Sequence, residues 1–92
     1  MIVRILGEGQ LQVDDSASAE LNSLDAALER AVNSGDEAAF RSALVALLDR
    51  VRALGTPLAA ETLEPSDSIL PRAEADLDEV RSMLTDEGYI PG

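Results

Sequence analysis

Apolar and polar residues along this chain follow two periods in turn. Ile2-Val3-Arg4-Ile5-Leu6 is β-branched and apolar, and Gln10-Leu11-Gln12-Val13 alternates polar with apolar, the period of a half-buried strand. Gly7-Glu8-Gly9 lies between them, short enough for a hairpin loop and with glycines free to take positive φ. The pattern predicts a β-hairpin over residues 2–13. The period then lengthens. Leu21, Leu24, Leu28 and Val32 recur at spacings of 3, 4 and 4, and Ala17, Ala27 and Ala31 widen the stripe. Asp14-Asp15-Ser16 offers N-cap oxygens and Gly35 a stop, so a helix is predicted over about 16–34.

Asp36 starts again at once. Phe40, Leu44, Leu47, Val51 and Leu54 recur at 4, 3, 4 and 3, and Gly55-Thr56-Pro57 ends a second helix over about 36–54. Two long helices joined by Asn33-Ser34-Gly35-Asp36 must fold back as an antiparallel αα-hairpin. Pro57, Pro65 and Pro71 break any helix through residues 56–72. Ser68-Ile69-Leu70 fits a short edge strand beside the hairpin, confined by Pro65 and Pro71 because proline donates nothing to a ladder. The rest of 56–72 reads as loop. Asp76-Leu77-Asp78-Glu79 is close to a capping box, and Leu77, Val80 and Leu84 predict a short last helix over about 76–86. The expectation is one α+β domain over 1–92: N-terminal β-hairpin, long αα-hairpin, short edge strand in a Pro-rich loop, and short C-terminal helix.

Composition narrows what such a domain can do. Seven Arg face eighteen Asp and Glu for a formal net charge of −11, with no Lys, His, Cys or Trp among 92 residues. The common zinc sites, a Ser-His triad, a thiol nucleophile, a Schiff base and a phosphate-loop lysine all lack an essential residue. A negative chain is repelled by nucleic-acid phosphates and by anionic membrane surfaces. Ala and Leu supply 14 residues each, and aromatics only one Phe and one Tyr, so the core must rest on Leu, Val and Ile. No apolar run reaches membrane-spanning length, and residues 1–6 lack the basic flank of a signal peptide. These features predict a soluble, cytoplasmic protein with no direct membrane insertion.

Candidate chemistry is thin. The acid pairs Asp14-Asp15, Asp36-Glu37 and Asp86-Glu87, and the group Asp76, Asp78 and Glu79, have their simplest use at helix starts. Asp76 to Glu87 fails as a calcium loop because Arg81 stands where glycine is needed. Gly7-Glu8-Gly9 leads into an alternating strand rather than a helix, so it is no dinucleotide cradle. Ser16, Ser34, Ser66 and Ser68 have no His or Lys base. Arg50 and Arg52 suit the dipole at the end of the second helix. Arg4, Arg30 and Arg41 read as outward-facing, solvated side chains. No enzyme activity, cofactor or metal is expected. Apolar residues left over, Val45 and Leu48 beside the second stripe and Tyr89 and Ile90 near the end, suggest a partner surface or self-association as a homodimer.

The strings Met1-Ile-Val-Arg-Ile-Leu-Gly-Glu-Gly-Gln10, Gly35-Asp-Glu37, Pro65-Ser-Asp67, Ile69-Leu-Pro71 and Asp86-Glu-Gly-Tyr-Ile-Pro-Gly92, in that order, resemble the phage-shock-protein-A-associated family, the PspAA domain. An aliphatic residue commonly follows the late Asp-Glu-Gly in that family, and Tyr89 departs from it. The resemblance covers the whole chain. It implies a non-enzymatic adaptor or regulator of the envelope-stress response, with a phage shock protein A-type coiled coil as partner. It also implies a membrane-peripheral position reached through that partner. The candidate partner-binding residues are Val45, Leu48, Pro65, Asp67, Asp86, Glu87, Tyr89 and Ile90. The alternatives are another acidic regulatory module, such as an antitoxin, an anti-activator or a nucleic-acid mimic, and a carboxylate- or metal-dependent enzyme.

Overall fold

The computed structural model describes residues 1–59 and 65–83. Strands β1 (Ile2–Ile5) and β2 (Gly9–Gln12) form the expected antiparallel hairpin, with Ile2 opposite Gln12 and Ile5 opposite Gly9. The turn is Leu6-Gly7-Glu8, one residue earlier than the Gly-Glu-Gly string suggests, because Gly9 is already paired. Gly7 takes φ +86°, and the Glu8 N–H closes the turn on the Ile5 carbonyl at 2.9 Å.

The helices follow the predicted periods. Asp14 caps a single 3₁₀ turn (Asp15–Ala17) by accepting the Ser16 N–H at 2.8 Å. Helix α1 (Ser18–Ser34) continues from it and ends at Gly35, whose φ of 72° is left-handed and whose N–H returns to the Ala31 and Val32 carbonyls. Helix α2 (Glu37–Leu54) starts on an Asp36 carboxylate that accepts the Ala39 N–H at 3.1 Å. The two helices pack as the expected antiparallel pair.

Two further strands complete the sheet. β3 (Thr56–Pro57) follows α2 at once and pairs antiparallel with β2. It was not foreseen, since a two-residue strand leaves no periodic signal. β4 (Ser68–Leu70) is the expected edge strand, and it runs parallel to β1, giving the order β3-β2-β1-β4. Asp67 sets its register from both sides. Its N–H bonds the Ile2 carbonyl at 2.8 Å, and its carboxylate accepts the Ile2 N–H at 2.7 Å. The short helix α3 (Leu77–Met83) begins where predicted, with Asp76 accepting the Glu79 N–H at 2.8 Å. Residues 84–86 of that predicted helix lie outside the described residues.

The result is two layers. Val3, Ile5, Leu11, Val13 and Leu70 turn one face of the sheet toward Leu21, Leu28 and Val32 of α1 and Phe40, Leu44, Leu47, Leu48 and Val51 of α2. Among the described residues no buried side-chain polar atom lacks a hydrogen-bond partner. Leu48 is wholly buried, which corrects its assignment to a partner surface. It stands beside the Leu44–Leu47–Val51 stripe, and the sheet widens the covered face of α2 enough to enclose it. No helix among the described residues is long and apolar enough to cross a membrane.

Candidate interaction surface

The side of the helical hairpin away from the sheet carries a shallow trough of about 570 Å³, lined by Ala27, Arg30, Ala31, Ser34, Ala39, Ser42 and Ala43. Small side chains line both walls because α1 and α2 approach closely, and Ala and Ser keep good helix geometry there without filling the seam. Val45, farther along α2, is exposed but does not line the trough. Nearer the start of α1, Arg50 of α2 reaches across to Glu20 of α1 with both its Nε and an Nη. Arg30 has no ion-pair partner among the described residues, unlike Arg50, Arg52, Arg72 and Arg81. The trough therefore carries one cation and no carboxylate in a strongly acidic protein.

A second recess, about 470 Å³, lies between the first turn of α2 and the start of α3. Phe40, Ala38 and Leu77 are its apolar lining, and Glu37, Asp76 and Asp78 its carboxylates. Arg41 was expected to be a solvated side chain. It is exposed, and in addition it donates to the Ala73 carbonyl at 2.5 Å and the Ala75 carbonyl at 2.8 Å, with its guanidinium 5.0 Å from the Phe40 ring centre. No local sequence signal marks that role, because the carbonyls it serves are 32 and 34 residues away. Among the described residues no three acidic side chains are arranged to hold a metal ion.

The candidate partner residues are dispersed. Val45 is exposed on the hairpin, 43% accessible. Pro65 is exposed just before β4. Asp67 is exposed but is committed to the Ile2 N–H, so its first role is to hold the sheet. Asp86, Glu87, Tyr89 and Ile90 lie outside the described residues. The trough was missed from sequence because alanines read as mere widening of the apolar stripes. The exposed Ile69, 48% accessible beside Arg4 on the outer face of the sheet, was read only as strand.

Among the described residues, three carboxyls are held below their ordinary range. The Arg52 guanidinium, hydrogen-bonded to Glu8, lowers Glu8 from 4.5. Arg50 does the same for Glu20, and the Ser16 backbone N–H lowers Asp14. A carboxyl with a lowered folded pKa binds fewer protons than in the unfolded chain. Its stabilisation is complete above the ordinary value and is lost as pH falls through the folded one. Urea midpoints should therefore hold steady from pH 7 to about 5 and fall below about 4.5. E8Q and E20Q should lower the midpoint at pH 7 and flatten the acid decline. An acid decline as steep in the double variant as in the parent would refute the assignment.

Fold and surface together define a small two-layer α+β module whose conspicuous surface features are recesses and an exposed helical face. The model of the PspA-Associated protein family, PspAA, matches residues 1–92, and the chain belongs to that family. No curated protein and no solved structure matches the chain.

Proposed function

We propose that the chain is a non-enzymatic adaptor of the phage-shock envelope-stress response that docks on a PspA-type coiled coil. The family match over the whole length carries this reading. The absence of His, Lys and Cys supports the non-enzymatic part, since a His base and the Cys and Lys nucleophiles are missing. The trough between α1 and α2 supports the mode of docking. A partner helix can approach an Ala/Ser-lined seam closely. The net charge of −11 would speed encounter with a basic partner more than it tightens the complex, and it disfavours direct contact with anionic lipid. The protein reaches the membrane periphery through its partner.

Co-purification with a purified PspA-type coiled-coil protein, followed by titration calorimetry at low and moderate salt, tests this. S42E and A46E place charges on the exposed side of α2 and should weaken binding roughly tenfold or more, with the melting temperature kept. Q12E, on the outer face of the sheet, should bind as the parent does. No association at either salt concentration would remove the adaptor reading. Full binding by S42E and A46E would move the contact elsewhere.

A further inference from the structure

Residues 72–83 are joined to the helical hairpin by fewer buried apolar side chains than join α1 to α2. The α1–α2 seam rests on whole stripes of buried Leu and Val. By contrast, the only wholly buried side chains of this unit are those of Val80 and Ala75, with Ala73, Leu77 and Met83 partly covered. Much of the remaining attachment is polar and comes from two arginines. Arg41 of α2 grips the Ala73 and Ala75 carbonyls at the entry to α3. Arg81 of α3 donates in the opposite direction, to the Val32 carbonyl at 3.1 Å, in the last turn of α1. The Val32 carbonyl also accepts from the Gly35 N–H, so Arg81 shares a helix end that is capped without it.

The unit is also closed on itself. Asp76 caps α3, the Val80 N–H returns to the Asp76 carbonyl at 3.0 Å, and Arg72 holds Glu79 across the helix start with two bonds. None of these internal ties involves the hairpin. The seam between the unit and α2 holds the 470 Å³ recess beside Phe40, so the two surfaces meet without filling the space between them. Phe40 itself is 2% exposed, with the Arg41 guanidinium at its ring and Leu77 in the same recess.

We infer that residues 72–83 are a latch, fastened by Arg41 and Arg81, that lifts off the end of the helical hairpin while the core stays folded. Lifting exposes Val80, Ala75 and the Phe40 side of the recess, and leaves the Gly35 cap of α1 intact. It exposes far less apolar surface than global unfolding, which gives a separate, lower-energy opening of the kind seen in native-state exchange. The latch stands or falls independently of docking on a coiled coil.

Native-state hydrogen exchange of the full chain in increasing urea tests it. Once lifted, a seven-residue helix is too short to keep its hydrogen bonds unaided, so amides of residues 80–83 should exchange through this opening with little urea dependence. Amides of residues 44–51 should exchange only through global unfolding, with the full dependence. R41M and R81M keep the aliphatic stems and remove the donors. Each should raise exchange at 80–83 roughly tenfold or more, and that at 44–51 by much less. If residues 80–83 follow the same urea line as 44–51 in the parent chain, α3 is part of the core and the latch is wrong. The parent measurement decides even where a variant folds poorly. A uniform rise across both segments in R41M and R81M would overturn it equally.

Discussion

Leu48→Ala is expected to destabilise the fold by about 2–5 kcal/mol, whereas Val45→Ala should cost less than about 0.5 kcal/mol. The two residues are three positions apart on α2 and look alike in sequence. The structure separates them completely, Leu48 at 0% accessible and Val45 at 43%. Truncating Leu48 leaves a cavity between α2 and its neighbours in the core, and a chain of 92 residues has little stability to lose. Each kcal/mol corresponds to about 4–8 °C in a domain of this size, so calorimetry should show a melting temperature lower by at least ~8 °C for Leu48→Ala. Val45→Ala should melt with the parent and lose affinity only for a partner. A drop below about 1 kcal/mol for Leu48→Ala would mean that the α2 face is looser than its burial implies.

That contrast also shows where sequence reading stops. The main stripes were legible: Leu21, Leu28 and Val32 on α1 and Phe40, Leu44, Leu47 and Val51 on α2 are all buried, and Leu24 and Leu54 pack at the margin. Helical period identifies the centre of a covered face. It does not say how wide that face is, because width depends on what packs against the helix. Four strands of sheet are wide enough to take in Leu48, and Val45 lies just past their reach.

Polar roles divide in the same way. Asp14, Asp36 and Asp76 were readable as caps because a cap acts two or three residues away, and all three accept the expected backbone N–H. Asp67, Arg41 and Arg81 act across 65, 32 to 34 and 49 residues, and nothing near them in sequence announces it. The same locality limited the site. An edge strand bracketed by Pro65 and Pro71 was visible, but its parallel pairing with β1 depends on Asp67 meeting Ile2. The trough needs two helices at once, so neither stripe alone revealed it.

Gly55→Ala is the second substitution expected to be costly, at about 1–3 kcal/mol or somewhat more. Gly55 reads as an ordinary helix stop, yet its backbone is extended, with φ −88° and ψ 152°, a conformation open to any residue. The need for glycine is one of space. The Gly55 N–H still closes α2 on the Val51 carbonyl at 2.8 Å, and the next residue, Thr56, already pairs with Gln12. Helix passes into strand within one residue, which presses the chain against β2. A Cβ at Gly55 would sit 2.8 Å from the Leu11 Cβ, 2.8 Å from the Val51 carbonyl oxygen and 3.0 Å from the Leu11 Cδ2.

Gly35→Ala differs. There the left-handed backbone, at φ 72°, carries a cost of about 1–2 kcal/mol, but the nearest atom is the flexible tip of Arg81 at 4.0 Å. A double-mutant cycle separates the two cases at Gly55. Leu11→Ala removes Cδ2 but keeps the Cβ and leaves the Val51 oxygen in place, so it should not rescue Gly55→Ala, and the two losses should add to within about 0.5 kcal/mol. Clear rescue would place the conflict at the tip of Leu11 instead. Near-additivity would locate it in the close backbone approach of the end of α2 to β2.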